Sequence, residues 1–146
     1  MKKIDEVFRE VTKLGDGISR VLEMADYYRF DDLSGLDIDY DDPNERFLLD
    51  EICFIFDRLE RINREINYLS KPIVGEYTLW RNEADRYECE VQEFYSGGTI
   101  ECYVYDSFYE RYKWIITRVE YNGDDYYLTA DESTPLEGLK VRIRRG

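Results

Sequence analysis

The chain contains no histidine. That removes the side chain most used near neutral pH as general base, proton shuttle and transition-metal ligand, and with it Ser-His and Cys-His catalysis. Cysteines are few: Cys53, Cys89 and Cys102, an odd number with no CxxC spacing, so neither a disulfide framework nor a zinc knuckle is indicated and reduced, buried thiols are expected. No GxxxxGK[ST] or GxGxxG phosphate loop occurs, and SGGT at Ser96 is too short to serve as one. No segment approaches the roughly 18 to 20 apolar residues of a membrane span, and the charged start MKKIDEVFRE is followed by no apolar targeting run. These absences predict a soluble, cytoplasmic, non-enzymatic protein with no cofactor and no catalytic or metal-binding residues.

Acid is what the chain has in excess. Thirty-three Asp and Glu against twenty Lys and Arg give a formal charge of -13, which repels nucleic acid and anionic membranes and favours a basic protein partner. At 146 residues and 43% hydrophobic content it can still bury a core. The acid is densest at residues 30–45, FDDLSGLDIDYDDPNE, with seven carboxylates and no base. A calcium loop beginning at Asp37 would use Asp37, Asp39 and Asp41, but Asp42 and Leu48 stand where glycine and glutamate are needed. Two readings remain: a solvated connector, or a recognition surface made of Asp31, Asp32, Asp37, Asp39, Tyr40 and Asp41. The flanking Tyr27, Tyr28 and Phe30 either cap a helical core or anchor a partner.

The two halves differ in period. Ile4, Val7, Val11, Leu14, Ile18, Val21, Ala25 and Tyr28 recur at helical spacing, and the unbroken register across Gly15 and Gly17 predicts one long helix despite a cost of about 1 kcal/mol per glycine. Leu48, Ile52, Ile55, Leu59, Ile62, Ile66 and Leu69 form a second seam, with Asp42 as cap, Pro43 at the first helical position and Glu45 placed for a capping box. An antiparallel helical hairpin that buries these seams together is expected over residues 1–70, the acidic connector included. Cys53, Phe54 and Phe56 fall off the seam and are free to meet the rest of the chain.

Pro72 in SKPIVG ends the helical pattern, and residues 71–146 read as a small antiparallel β domain, a bent sheet or barrel of five to six strands. The fold class is therefore α+β. Expected strands are 76–80, 86–91, 99–105, 114–121, 126–129 and 140–143, with turns at NEAD, SGG, NGDD and LEGL. Alternation turns Ile100, Cys102, Val104, Ile115, Val119 and Tyr121 inward. Glu101, Tyr103, Tyr105, Trp114, Ile116, Arg118 and Glu120 share the opposite face, on which Arg118 is expected to pair with Glu101 across strands. So aromatic a face either lies under the helices or binds a partner; Glu101, Tyr103, Tyr105, Trp114 and Arg118 are its candidate contacts. Arg142, Arg144 and Arg145 form too short a basic cluster to imply direct nucleic-acid binding.

The order of motifs Gly75, Leu79, Asn82, Arg86-Tyr87, SGGTIE (96–101), Trp114, TRVE (117–120), YYL (126–128) and LEGLKVRIR (136–144) resembles a domain-of-unknown-function family of short proteins from Gram-positive bacteria, their phages and mobile elements. The resemblance covers residues 75–144. It implies a compact β module in a bacterial host cell and supplies no catalytic residues. Asp85 stands where that family has glycine before Arg-Tyr, and DSFYERY (106–112) looks longer than its usual link.

Two functions follow as expectations. One is an acidic protein that blocks the nucleic-acid groove of a basic host-defence effector, an anti-CRISPR-like DNA mimic whose carboxylates meet the Lys and Arg that otherwise hold phosphates. The other is a small β-barrel adaptor that binds a peptide or host protein through its aromatic face, its charge serving solubility.

Overall fold

The structure is a computed structural model that describes residues 1–27, 33 and 35–146. It is α+β: among the described residues, two helices precede a five-stranded antiparallel sheet and a small three-stranded one. The chain divides into two compact units, Met1–Lys71 and Pro72–Gly146.

Helix α1 spans Ile4–Met24 without interruption at either glycine. Helix α2 spans Pro43–Ser70, and its start is built as expected, with Asp42 capping the Asn44 amide and Pro43 in the first turn. Glu45 does not close a capping box on Asp42; its carboxylate accepts the amide of Asp39 at 2.6 Å, tying the connector to the helix. The helices approach closely at Gly15, where a Cβ would lie 3.2 Å from Ile66 Cγ2, and beside it Asn63 donates to Ser19 Oγ at 3.0 Å. Gly15 is thus a packing glycine, which explains its place in a helix interior.

The buried stripe of α2 keeps part of the predicted aliphatic seam and replaces the rest. Phe56, Asn63 and Ile66 are buried, with Leu49, Ile52, Cys53 and Leu59 packed against the same core, whereas Leu48, Ile55 and Ile62 are exposed. Ile52, Leu59 and Ile66 of the expected seam face the core, and the alternate positions move on by one residue, from Leu48, Ile55 and Ile62 to Leu49, Phe56 and Asn63. The stripe's centre is Phe56, which meets Tyr27 edge-on with ring centroids 5.5 Å apart, so Phe56 belongs to the helical core and Tyr27 caps it. Tyr27 also donates to Asp57.

In the second unit the strands are β1 Ile73–Thr78, β2 Trp80–Arg81, β3 Tyr87–Cys89, β4 Gln92–Phe94, β5 Thr99–Asp106, β6 Arg111–Tyr121, β7 Tyr126–Leu128 and β8 Lys140–Arg144. The large sheet runs β1-β8-β5-β6-β7, so the first strand pairs with the last; the small sheet is β2-β3-β4. Where one strand was expected over 86–91 there are two, because Cys89 pairs with Gln92 and the chain turns at Glu90-Val91 without the glycine or asparagine that marks a turn in sequence. The segment DSFYERY is a four-residue turn between strand ends that reach into it from both sides. Tyr105 pairs with Tyr112 and Asp106 with Arg111, leaving four residues for the turn, which Asp106 secures by accepting the Phe108 amide at 3.0 Å.

Both sheets share one core. Leu79, Ile100, Cys102, Val119, Leu128 and Val141 are almost wholly buried, and Tyr87, Cys89 and Phe94 bring the small sheet into the same cluster. Alternation along β5 and β6 holds as expected except at Tyr121, which is exposed at the strand end and lies against Tyr126.

Candidate functional site

The outer face of the large sheet is assembled by register. Tyr103 pairs with Trp114 and Tyr105 with Tyr112, so two cross-strand pairs from β5 and β6 become one cluster of four rings. Tyr103 stacks on Tyr112 at 5.2 Å and tilts against Trp114 at 5.0 Å, while Tyr105 meets Tyr112 edge-on at 5.3 Å. Strand β8 adds cations: Arg142 Cζ sits 4.3 Å from the Trp114 centroid and Lys140 Nζ 5.4 Å from that of Tyr103. These contacts fix ring orientation in advance, which lowers the ordering cost of binding. Tyr105 and Tyr112 are half-exposed or more, at 50% and 58%.

Beneath the rings lies a buried ionic cluster. Glu101 is 2% exposed and accepts from Arg142 and, at 2.8 Å, from Arg144 Nε. The expected Arg118–Glu101 pair does not form. Arg118 stands opposite Thr99, two residues from Glu101 along β5, while β5 has β8 on its other side with Arg142 directly opposite Glu101. Two of the three C-terminal arginines are therefore committed to a carboxylate, and the third, Arg145, donates to the Val91 carbonyl. None forms a bare basic patch.

A cleft of about 360 Å³ borders the rings, lined by Tyr103, Tyr105, Tyr112, Pro135, Glu137 and Lys140. Of these, Tyr112, Pro135, Glu137 and Lys140 were not among the candidates. Tyr112 was legible as the residue that pairs with Tyr105 once the strand is extended past Trp114; the loop 131–139 carries no periodic signal that would place it here. Tyr105 also borders a second cleft, which holds Asp106 and Asp131. Both carboxyls sit below the usual aspartate range. For Asp106, burial alone would raise the value, but hydrogen bonds from Lys113 and from the amides of Tyr109 and Phe108 outweigh it. For Asp131 the hydroxyls of Ser133 and Thr134 are the main cause. The Cys102 thiol, buried behind the sheet, is pushed up to about 12 by desolvation and then by Asp131 and Glu101, which makes it a packing group and not a nucleophile at neutral pH.

The acidic candidates are placed differently. Asp31, Asp32, Tyr28 and Phe30 lie outside the described residues. Asp37 is exposed, Asp39 accepts the Asp41 amide at 3.0 Å, and Tyr40 is 66% exposed. Two connector carboxylates, Asp39 and Asp42, thus act in local turns, and they belong to a different unit from the ring cluster.

Residues 76–143 match the family model described as Domain of unknown function (DUF5348). This match supports the expected domain of unknown function, and the ring cluster, Glu101 and the cleft all lie within the matched residues. No curated protein and no solved structure matches the chain. Asp85, at the position where glycine was expected, has φ of 58°, the left-handed conformation that glycine adopts without strain. The backbone there keeps a glycine-like turn with an aspartate in it.

Proposed function

We propose that this protein is a non-enzymatic binding module of the bacterial cytoplasm that takes an extended segment of a partner protein against the rings of Tyr103, Tyr105, Tyr112 and Trp114. The observation that carries this reading is the pre-stacked, partly exposed ring cluster with a bordering cleft. Aromatic faces of this kind give contact area at low entropic cost, and tyrosine, tryptophan and proline walls suit extended or proline-containing chains. Glu137 and Lys140 at the rim offer one charge of each sign to orient a ligand.

The test is a peptide library panned against the protein, followed by titration of the selected sequence. Tyr105→Ala and Tyr112→Ala each weaken binding about tenfold or more, while reversing Asp37, Asp39 and Asp41 to Lys leaves it within about twofold. The opposite pattern sinks the adaptor reading. It favours the second one, a phage- or mobile-element-encoded nucleic-acid mimic that sits in the groove of a basic host-defence protein. That reading draws on the -13 charge and on exposed Asp37, Tyr40 and Asp41; binding of that type falls steeply as salt rises.

A further inference from the structure

In the helical unit one apolar heptad row on each helix is left outside the core. Val7, Leu14 and Val21 on α1 repeat every seven residues and are 48%, 60% and 42% exposed; Leu48, Ile55 and Ile62 on α2 do the same at 57%, 47% and 47%. Scattered exposed apolar residues need no explanation, but two rows at a coiled-coil repeat do. Leu14, Val21, Leu48, Ile55 and Ile62 each immediately precede a residue of the buried stripe: Gly15, Leu22, Leu49, Phe56 and Asn63. The rotational offset is thus the same on both helices. In an antiparallel pair the buried faces oppose each other and the sense of rotation reverses, so equal offsets fall on the same side. Both rows therefore line one side of the hairpin, each step about 10.5 Å long.

We infer that a second copy of this chain packs its hairpin against this side, forming a two-fold helical bundle. The repeat length is identical on the two helices, so a two-fold axis sets each row against one of equal spacing, the self-complementarity an isologous interface needs. The charges bordering the rows point the same way. One heptad position further round are Lys3 at the N-cap of α1, then Glu10, Gly17 and Met24 on it, and Asn44, Glu51, Arg58 and Glu65 on α2, two bases and three acids. That border is nearly balanced in a chain of charge -13, whereas a basic helix would select a border as acidic as residues 35–45, where five carboxylates face no base. A mixed border accepts its own copy.

Sedimentation equilibrium of the full chain from about 1 to about 200 µM tests this, a range that covers weak to moderate association. The expected result is a dimer that Leu14→Gln with Ile55→Gln weakens about tenfold or more, with ellipticity at 222 nm unchanged. Ile62→Gln, at an equivalent exposed position, is the second variant and acts in the same direction. Tyr105→Ala leaves the dimer intact, which assigns it to the helices and keeps it separate from the ring cluster. Raising salt from about 50 to about 500 mM strengthens association, because it screens the repulsion between two anionic chains while the contact itself is apolar. A chain that stays monomeric throughout, a dimer indifferent to both sets of substitutions, or one that salt dissolves overturns the inference.

Discussion

The two units bury their apolar residues to different degrees. In the β unit the inward residues of β5, β6 and β8 go almost entirely into one core, and the outer face carries a set of rings in defined contact, with Ile116 exposed on the same face. The helical unit closes a smaller core and leaves two aliphatic rows exposed. A sheet of several strands can satisfy its inward face within a unit of this size, whereas two helices bury only one stripe each and need further helices to cover a wider apolar arc. Stability within the chain should thus be more complete in the β unit and more dependent on association in the helical one.

The two tryptophans, Trp80 and Trp114, both lie in the β unit, so their fluorescence reports on it while ellipticity at 222 nm follows the helices. The largest separation of the two signals is expected for Glu101→Ala. Removing the carboxylate leaves Arg142 and Arg144 partly buried without their anion and costs about 3 kcal/mol, lowering the tryptophan-detected urea midpoint far more than the helical one; equal shifts would contradict the division. Acid comes next. Asp106 and Asp131, both in the β unit, have folded values held below the ordinary 3.8, so their contribution is present above that value and is lost as pH falls through the folded values. Below about pH 4 the fluorescence transition should move to lower urea before the helical one does. The smallest effect lies in the helices. Gly17→Ala meets only the end of Arg20 at 3.6 Å and should stabilise by about 0.7 kcal/mol, but Gly15→Ala meets Ile66 at 3.2 Å and should gain nothing, both read from the 222 nm melt.

The same contrast governs what was legible in the residues alone. Local signals worked: the cap at Asp42, the long α1 across two glycines, and the inward set Ile100, Cys102 and Val104 all follow from side-chain chemistry at fixed spacing. The α2 seam was half legible: Ile52, Leu59 and Ile66 face the core as read, but a wide apolar arc holds two overlapping stripes, and Phe56 and Asn63 take the places that Ile55 and Ile62 were expected to fill. The Arg118–Glu101 pairing failed because parity fixes a face and not a neighbour. Only the strand order β8-β5-β6, a long-range property, tells which arginine reaches Glu101. The cleft was invisible for a similar reason, since Pro135 and Glu137 arrive from a loop without periodicity.

The pairing of β1 with β8 has a practical meaning beyond closing the sheet. Arg145 donates its amide to the Pro72 carbonyl, so the two ends of the β unit lie side by side at one edge. A segment wired this way can be spliced into a surface loop of an unrelated host protein, or fused through either terminus, with little disturbance to its rings. Shuffling of such a cassette between genes would need no redesign of its interior.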